Sequence, residues 1–181
     1  MKKIVCAVAM ASVMVTGAVN AASNVDQGHG KIKFEGSVIE AACSIDSKSI
    51  DQTVQLGSIA SHALKSGGKS TPVDFSIKLH DCDTSVGSGS ATVAFNGIAG
   101  ESASGLDKAF ATTGQAGGGV GVTITDLGGV IIAPNSSSTA MTLADGDNEL
   151  AFQAYVMGSN ATGGVIPGTF NSVANFVMDY N

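Results

Sequence analysis

The chain has 181 residues, among them 24 Gly, nine Lys and no Arg, and its fifteen acidic residues bring the formal charge to −6 at pH 7. That balance leaves no basic stripe to neutralise phosphates, which excludes nucleic acid as a partner. The length suits one domain of ordinary size, and the absence of Trp with only two Tyr argues against an aromatic-lined sugar site.

The chain opens with Lys2 and Lys3 ahead of an apolar run from Ile4 to Val19, and Val19-Asn20-Ala21 forms a small-residue cleavage site. Residues 1–21 therefore read as a secretory signal peptide, since the run is interrupted by Ser12, Thr16 and Gly17 and is short of the roughly 20 residues of a membrane span. Losing Lys2 and Lys3 takes the formal charge to −8, seven basic residues against fifteen acidic. Cys6 leaves with the leader. Cys43 and Cys82 remain in an exported protein, where a disulfide is favoured over a metal site. On the chain-entropy estimate, closing that loop is worth roughly 4 kcal/mol.

From Gln27 the sequence runs Gln-Gly-His-Gly-Lys-Ile-Lys-Phe, which sets Gly28, Gly30, Ile32 and Phe34 on one face of an extended segment. That face tapers from no side chain to a large one, so it fits a groove that is tight at Gly28 and deep at Phe34, or the first strand of the protein's own sheet. The parity changes after Gly36, with Ile39, Ala41, Cys43 and Ile45 on one side, and this predicts a bulge or sheet switch near Gly36-Ser37. Short alternations follow at Val54 and Leu56, at Phe75, Ile77 and Leu79, and at Ala91, Val93 and Phe95. The connection from Asn96 to Gly119 is rich in Gly, Ala and Ser and holds a predicted helical turn at Leu106 to Phe110. Val120, Val122 and Ile124 lead through Asp126-Leu127-Gly128-Gly129 into Val130-Ile131-Ile132, a hairpin signal. Leu150, Phe152, Ala154 and Val156 form another strand. Many short strands without helical periodicity predict an all-β sandwich.

The most informative stretch is Gly168 to Asn181. Phe170, Ser172, Ala174, Phe176, Met178 and Tyr180 alternate with more polar residues, which predicts a strand with one buried face and no partner strand after it. Such an edge invites another chain to pair with it.

Two motifs invite a catalytic reading and do not sustain it. Ala63-Leu64-Lys65-Ser66-Gly67-Gly68-Lys69-Ser70 matches a relaxed phosphate-loop pattern, but it leads through Thr71-Pro72 into a strand rather than a helix, so it reads as a polar solvated loop. His80-Asp81-Cys82-Asp83 places neighbours on opposite faces of a strand, where they cannot converge on one ion. His29 and His62 have no patterned companions, and the triplets at Asn135 and Asn160 match the glycosylation sequon as chance allows. No nucleophile, base and orienter assemble, so no enzyme and no cofactor is expected.

The Gly168 to Tyr180 ending, the pair Cys43 and Cys82, the leader, and the segment Gln27 to Phe34 continuing through Ala41-Ala42-Cys43-Ser44-Ile45 together resemble the subunits of chaperone-usher pili, in particular the major rod subunits of the P-pilus and type 1 type. The resemblance implies an incomplete immunoglobulin-like sandwich lacking its last strand, with residues 22–35 as an N-terminal donor strand and 36–181 as the pilin domain. It further implies donor residues Gly28, Gly30, Ile32 and Phe34, and an acceptor or chaperone-binding edge at Gly168, Phe176, Met178, Tyr180 and Asn181. The implied partners are neighbouring pilin subunits, a periplasmic chaperone, an outer-membrane usher and, for the fibre, a host-surface receptor. Asp26 departs from the pattern, standing where an apolar residue would better enter the first pocket. Alternatives are a minor adaptor subunit or a monomeric secreted sandwich that binds a glycan.

Overall fold

The computed structural model describes residues 29–87 and 89–181; the leader, Asp26 and Gly28 lie outside them. It divides into two units, Met1–Val38 and Ile39–Asn181. In the first, residues 29–38 form no helix or strand. Ile32 is 78%, Phe34 89% and Val38 103% exposed. These share one parity, and every residue from 29 to 38 is exposed.

The second unit is a two-sheet sandwich. Its elements are β1 (Ser44–Ile45), a one-turn helix α1 (Ser47–Ile50), β2 (Val73–Cys82), β3 (Ser90–Asn96), β4 (Phe110–Ala111), β5 (Val120–Asp126), β6 (Ile131–Ile132), β7 (Ser136–Ser137), β8 (Met141–Thr142), β9 (Gly146–Gly158) and β10 (Asn175–Tyr180). The larger sheet runs β1-β2-β9-β5-β4 with β6 also on β5; the smaller runs β10-β3-β7 with β8 also on β3. Period-two sequences make these strands. In β2, Phe75, Ile77 and Leu79 point inward while Asp74 and Lys78 stay exposed, and β9 answers with Phe152 opposite Phe75 and Leu150 opposite Ile77. Phe95 of β3 comes across from the other sheet to stand edge-on to Phe75 and Phe152, at 6.3 and 5.1 Å. Each such pair adds about 0.5–1.5 kcal/mol beyond the area buried.

The Cys43–Cys82 disulfide ties the chain ahead of β1 to the end of β2, with both residues buried in this core. The β5–β6 hairpin forms where the turn residues stand: Gly129 N–H donates to Asp126 O at 3.0 Å, and Val130 N–H to the Asp126 carboxylate at 2.8 Å.

Three expectations are corrected and one is refined. The strand through Cys43 shrinks to Ser44–Ile45, because Ile39 is exposed and only Ser44 and Ile45 fall in register with β2, opposite His80 and Leu79. The Leu106 to Phe110 stretch is a turn leading into β4. The helical turn sits earlier, at Ser102–Ser104, because the left-handed Gly105 ends it. The phosphate-loop look-alike is solvated except at one anchor: the 3-10 segment Ser61–Gly67 buries Leu64 beside Ala116, Val120 and Val156, while Ala63, Lys65, Ser66 and Lys69 stay exposed. Last, Gly168 to Tyr180 is not one strand. Residues 169–171 bond to 113–116 (Thr113 N–H to Asn171 O, 2.8 Å; Ala116 N–H to Thr169 O, 3.1 Å) and Phe170 joins the second apolar cluster; the chain then crosses to β3.

Candidate interaction groove beside the terminal strand

β10 is held on one side only. It pairs antiparallel with β3 from Asn175↔Asn96 to Tyr180↔Ala91, and no other described strand touches it. Asn181 N–H donates to Ser90 O at 3.0 Å. This phases the ladder: Asn175, Val177 and Asp179 bond to β3, while the N–H and C=O groups of Phe176, Met178 and Tyr180 point away to the free edge. The side chains of those same three residues face inward and pack on the core. The edge is therefore unsatisfied where its side chains are apolar, a combination that costs free energy unless water or another strand supplies the bonds.

Beyond that edge lies a groove of about 1160 Å³. Its far wall is the segment Gln52–Ile59, where Val54, Leu56 and Ile59 turn half-buried side chains inward. Thr53 to Ile59 make no hydrogen bond to any described residue and form no helix or strand. Only Gln52 is tethered, its side chain donating to Ser76 O at 3.2 Å. Two lengths of backbone thus face each other with their bonding capacity open. The floor between them is core: Phe75, Ile77, Phe95, Phe110, Val122 and Ile124.

The expected acceptor residues are placed unevenly. Gly168 and Phe176 line the groove, whereas Met178 and Tyr180 lie along β10 past its open part, and Asn181 is bonded to Ser90. The Tyr180 hydroxyl is buried with no hydrogen-bond partner among the described residues, and burial pushes its pKa up. Sequence reasoning missed the Gln52–Ile59 wall. Val54 and Leu56 alternate as a strand would, but no described strand pairs with them.

Away from the groove, His80 bridges two carboxylates, with Nδ1 2.8 Å from Asp147 and Nε2 3.1 Å from Asp46, which also caps α1. Hydrogen bonds to Asp147 and then Asp46 hold its pKa above the usual value, and Asp46 is held low by the Lys48 N–H and His80. Among the described residues no group of three His, Cys, Asp or Glu is arranged to hold a metal.

An immunoglobulin-like sandwich that leaves its core open along the terminal strand is the architecture of pilus subunits, and the comparisons agree with it. The model of the fimbrial protein family matches residues 32–181, so the chain belongs to that family, whose members are structural and not enzymes. It is 42% identical to the Fimbria A protein of Serratia marcescens over 94% of this chain and 95% of that one. It is 36% identical to the Pap fimbrial major pilin protein of Escherichia coli over 96% and 95%. A solved chaperone-usher pilus structure concerned with rod uncoiling superposes with a TM-score of 0.73 at 34% identity, covering 86% of this chain and 97% of that one. The chain is a structural subunit of a surface fimbrium.

Proposed function

We propose that this subunit polymerises by donating residues 30–38 to the groove of a second copy, where they run between β10 and the Gln52–Ile59 wall. One observation carries the reading: the same chain holds a core left open between the unpaired side of β10 and a length of backbone that bonds to no described residue, and it also holds an exposed segment in which Ile32, Phe34 and Val38 share one parity. Ile32, Phe34 and Val38 would fill the groove, and their backbone would satisfy Phe176, Met178 and Tyr180 on one side and Thr53 to Ile59 on the other. This is strand addition, the mode already described for pilins. Gly28, Gly30 and the leader boundary at residue 21 keep their expected roles here.

The major-pilin relative supports a rod subunit over a minor adaptor. The chaperone-usher relative supports a route in which a periplasmic chaperone fills the groove first and an outer-membrane usher exchanges it for the next subunit. Deleting residues 22–38 tests the reading. The shortened subunit is expected to accept a donor but not to act as one, so cells carrying only this form show no fibres by electron microscopy. Continuous fibres from it would overturn the assignment.

A further inference from the structure

The smaller sheet is almost without charge. β3, β7 and β8 carry no charged residue, and β10 carries one, Asp179, exposed and opposite Thr92. The groove wall 52–60 has no charged side chain either. A lone carboxylate on the free edge strand stands out against the exposed face of the N-terminal segment, which presents His29, Lys31, Lys33 and Glu35 in alternation with the apolar row. Lys33 is paired with Glu35. Lys31 has no acidic partner among the described residues.

Resting on the reading above, we infer that Lys31 of the donor and Asp179 of the acceptor form a cross-strand ion pair that sets the register of subunit joining. The shape of the groove gives the polarity. Its open volume extends from Val165 to Phe176 and stops short of Met178 and Tyr180. Large side chains therefore belong at the Phe176 end and glycine at the Tyr180 end, which runs the donor antiparallel to β10. A parallel donor would lay Gly30 over the void and press Phe34 on the filled end.

The ladder then gives the register. With Phe34 across from Phe176, Ile32 meets Met178 and Gly30 meets Tyr180. These are hydrogen-bonded pairs with inward side chains. The intervening pairs are the closely spaced kind, with Cα atoms about 4.5 Å apart and side chains in contact. They put Lys33 against Val177 and Lys31 against Asp179. A slip of two residues in one direction would pair Lys33 with Asp179 and leave Phe34 beyond the void; a slip of four would set Glu35 against Asp179.

The test is a charge swap in the whole chain, with assembly followed by light scattering and sedimentation. Lys31→Asp and Asp179→Lys singly replace attraction by repulsion and are expected to slow joining about two- to tenfold; the double variant recovers most of the loss. The differences shrink in 1 M salt, where the screening length is about 3 Å. Asp179→Asn, with unchanged thermal unfolding of the unassembled subunit, confirms that the fold is not the cause. Single variants that assemble like the parent, or a double variant no better than either, overturn the ion pair. Phe34→Ala in the same assay separates this from the broader reading: undiminished assembly by that variant, or no assembly by the parent, overturns strand donation itself.

Discussion

Appending a second copy of residues 29–38 after Asn181 through a short flexible linker gives a subunit that can fill its own groove, and Phe34→Ala in the appended copy alone measures what the groove does with that side chain. The antiparallel polarity makes the extension a hairpin partner of β10, so a turn-length linker reaches. In the free segment Phe34 is 89% exposed. Truncating an exposed side chain changes stability by no more than about 0.5 kcal/mol. In the groove, Phe34 lies against Phe176 on a floor that includes Phe95, Phe75 and Phe110, and truncating a core Phe costs about 3–5 kcal/mol. At about 2–4 °C per kcal/mol for a domain of this size, the variant unfolds at least about 6 °C below its parent. Linkage holds the appended copy at high effective concentration, so the difference reports contacts and not encounter. Thermal unfolding by circular dichroism, with sedimentation to confirm monomers, makes the measurement. Equal melting temperatures for parent and variant would refute burial of Phe34 in the groove.

Three further outcomes follow from other parts of the fold. With its leader removed, the denatured oxidised protein should show no free thiol by titration, and Cys43→Ser with Cys82→Ser should cost about 2–5 kcal/mol in denaturant unfolding; two titratable thiols would contradict the pairing. His80 has a raised folded-state pKa, so its pairing with Asp147 and Asp46 stabilises fully below the unfolded value of about 6.5 and is lost as pH rises through the folded value. The parent should accordingly lose stability across that window while His80→Gln does not, and identical pH profiles would count against the bridge. Tyr180→Phe removes a buried hydroxyl that has no partner and should stabilise the unassembled subunit by about 1 kcal/mol; a destabilised variant would mean that the hydroxyl is bonded.

The sandwich was legible because each strand with an inward face writes it at every second residue: Phe75, Ile77 and Leu79 in β2, Leu150, Phe152 and Ala154 in β9. Short strands were harder. β7 is Ser-Ser, held through Asn135 N–H to Phe95 O and Ser138 N–H to Val93 O, and nothing in its side chains announces that. The terminal stretch shows where periodicity misleads. Phe170 and Phe176 share a parity, so the sequence reads as one strand, but the first belongs to a different apolar cluster and the chain changes partners between them. The groove was visible from one wall only. Val54 and Leu56 look like a strand of the protein's own sheet, and only the fold reveals that Thr53 to Ile59 bond to no described residue.

The claim that one copy's N-terminal segment enters another copy's groove is tested most directly by cross-linking across it. Chains carrying Phe34→Cys are mixed with chains carrying Phe176→Cys, allowed to assemble, oxidised and run on a non-reducing gel. Hydrogen-bonded neighbours on facing strands bring these positions within disulfide reach, with Cα atoms about 5.5 Å apart. The account predicts a covalent dimer containing one chain of each kind, and none when Phe176→Cys is replaced by Val177→Cys on the outward face. Absence of the mixed dimer under conditions where fibres form, or equal yield from position 177, would contradict it.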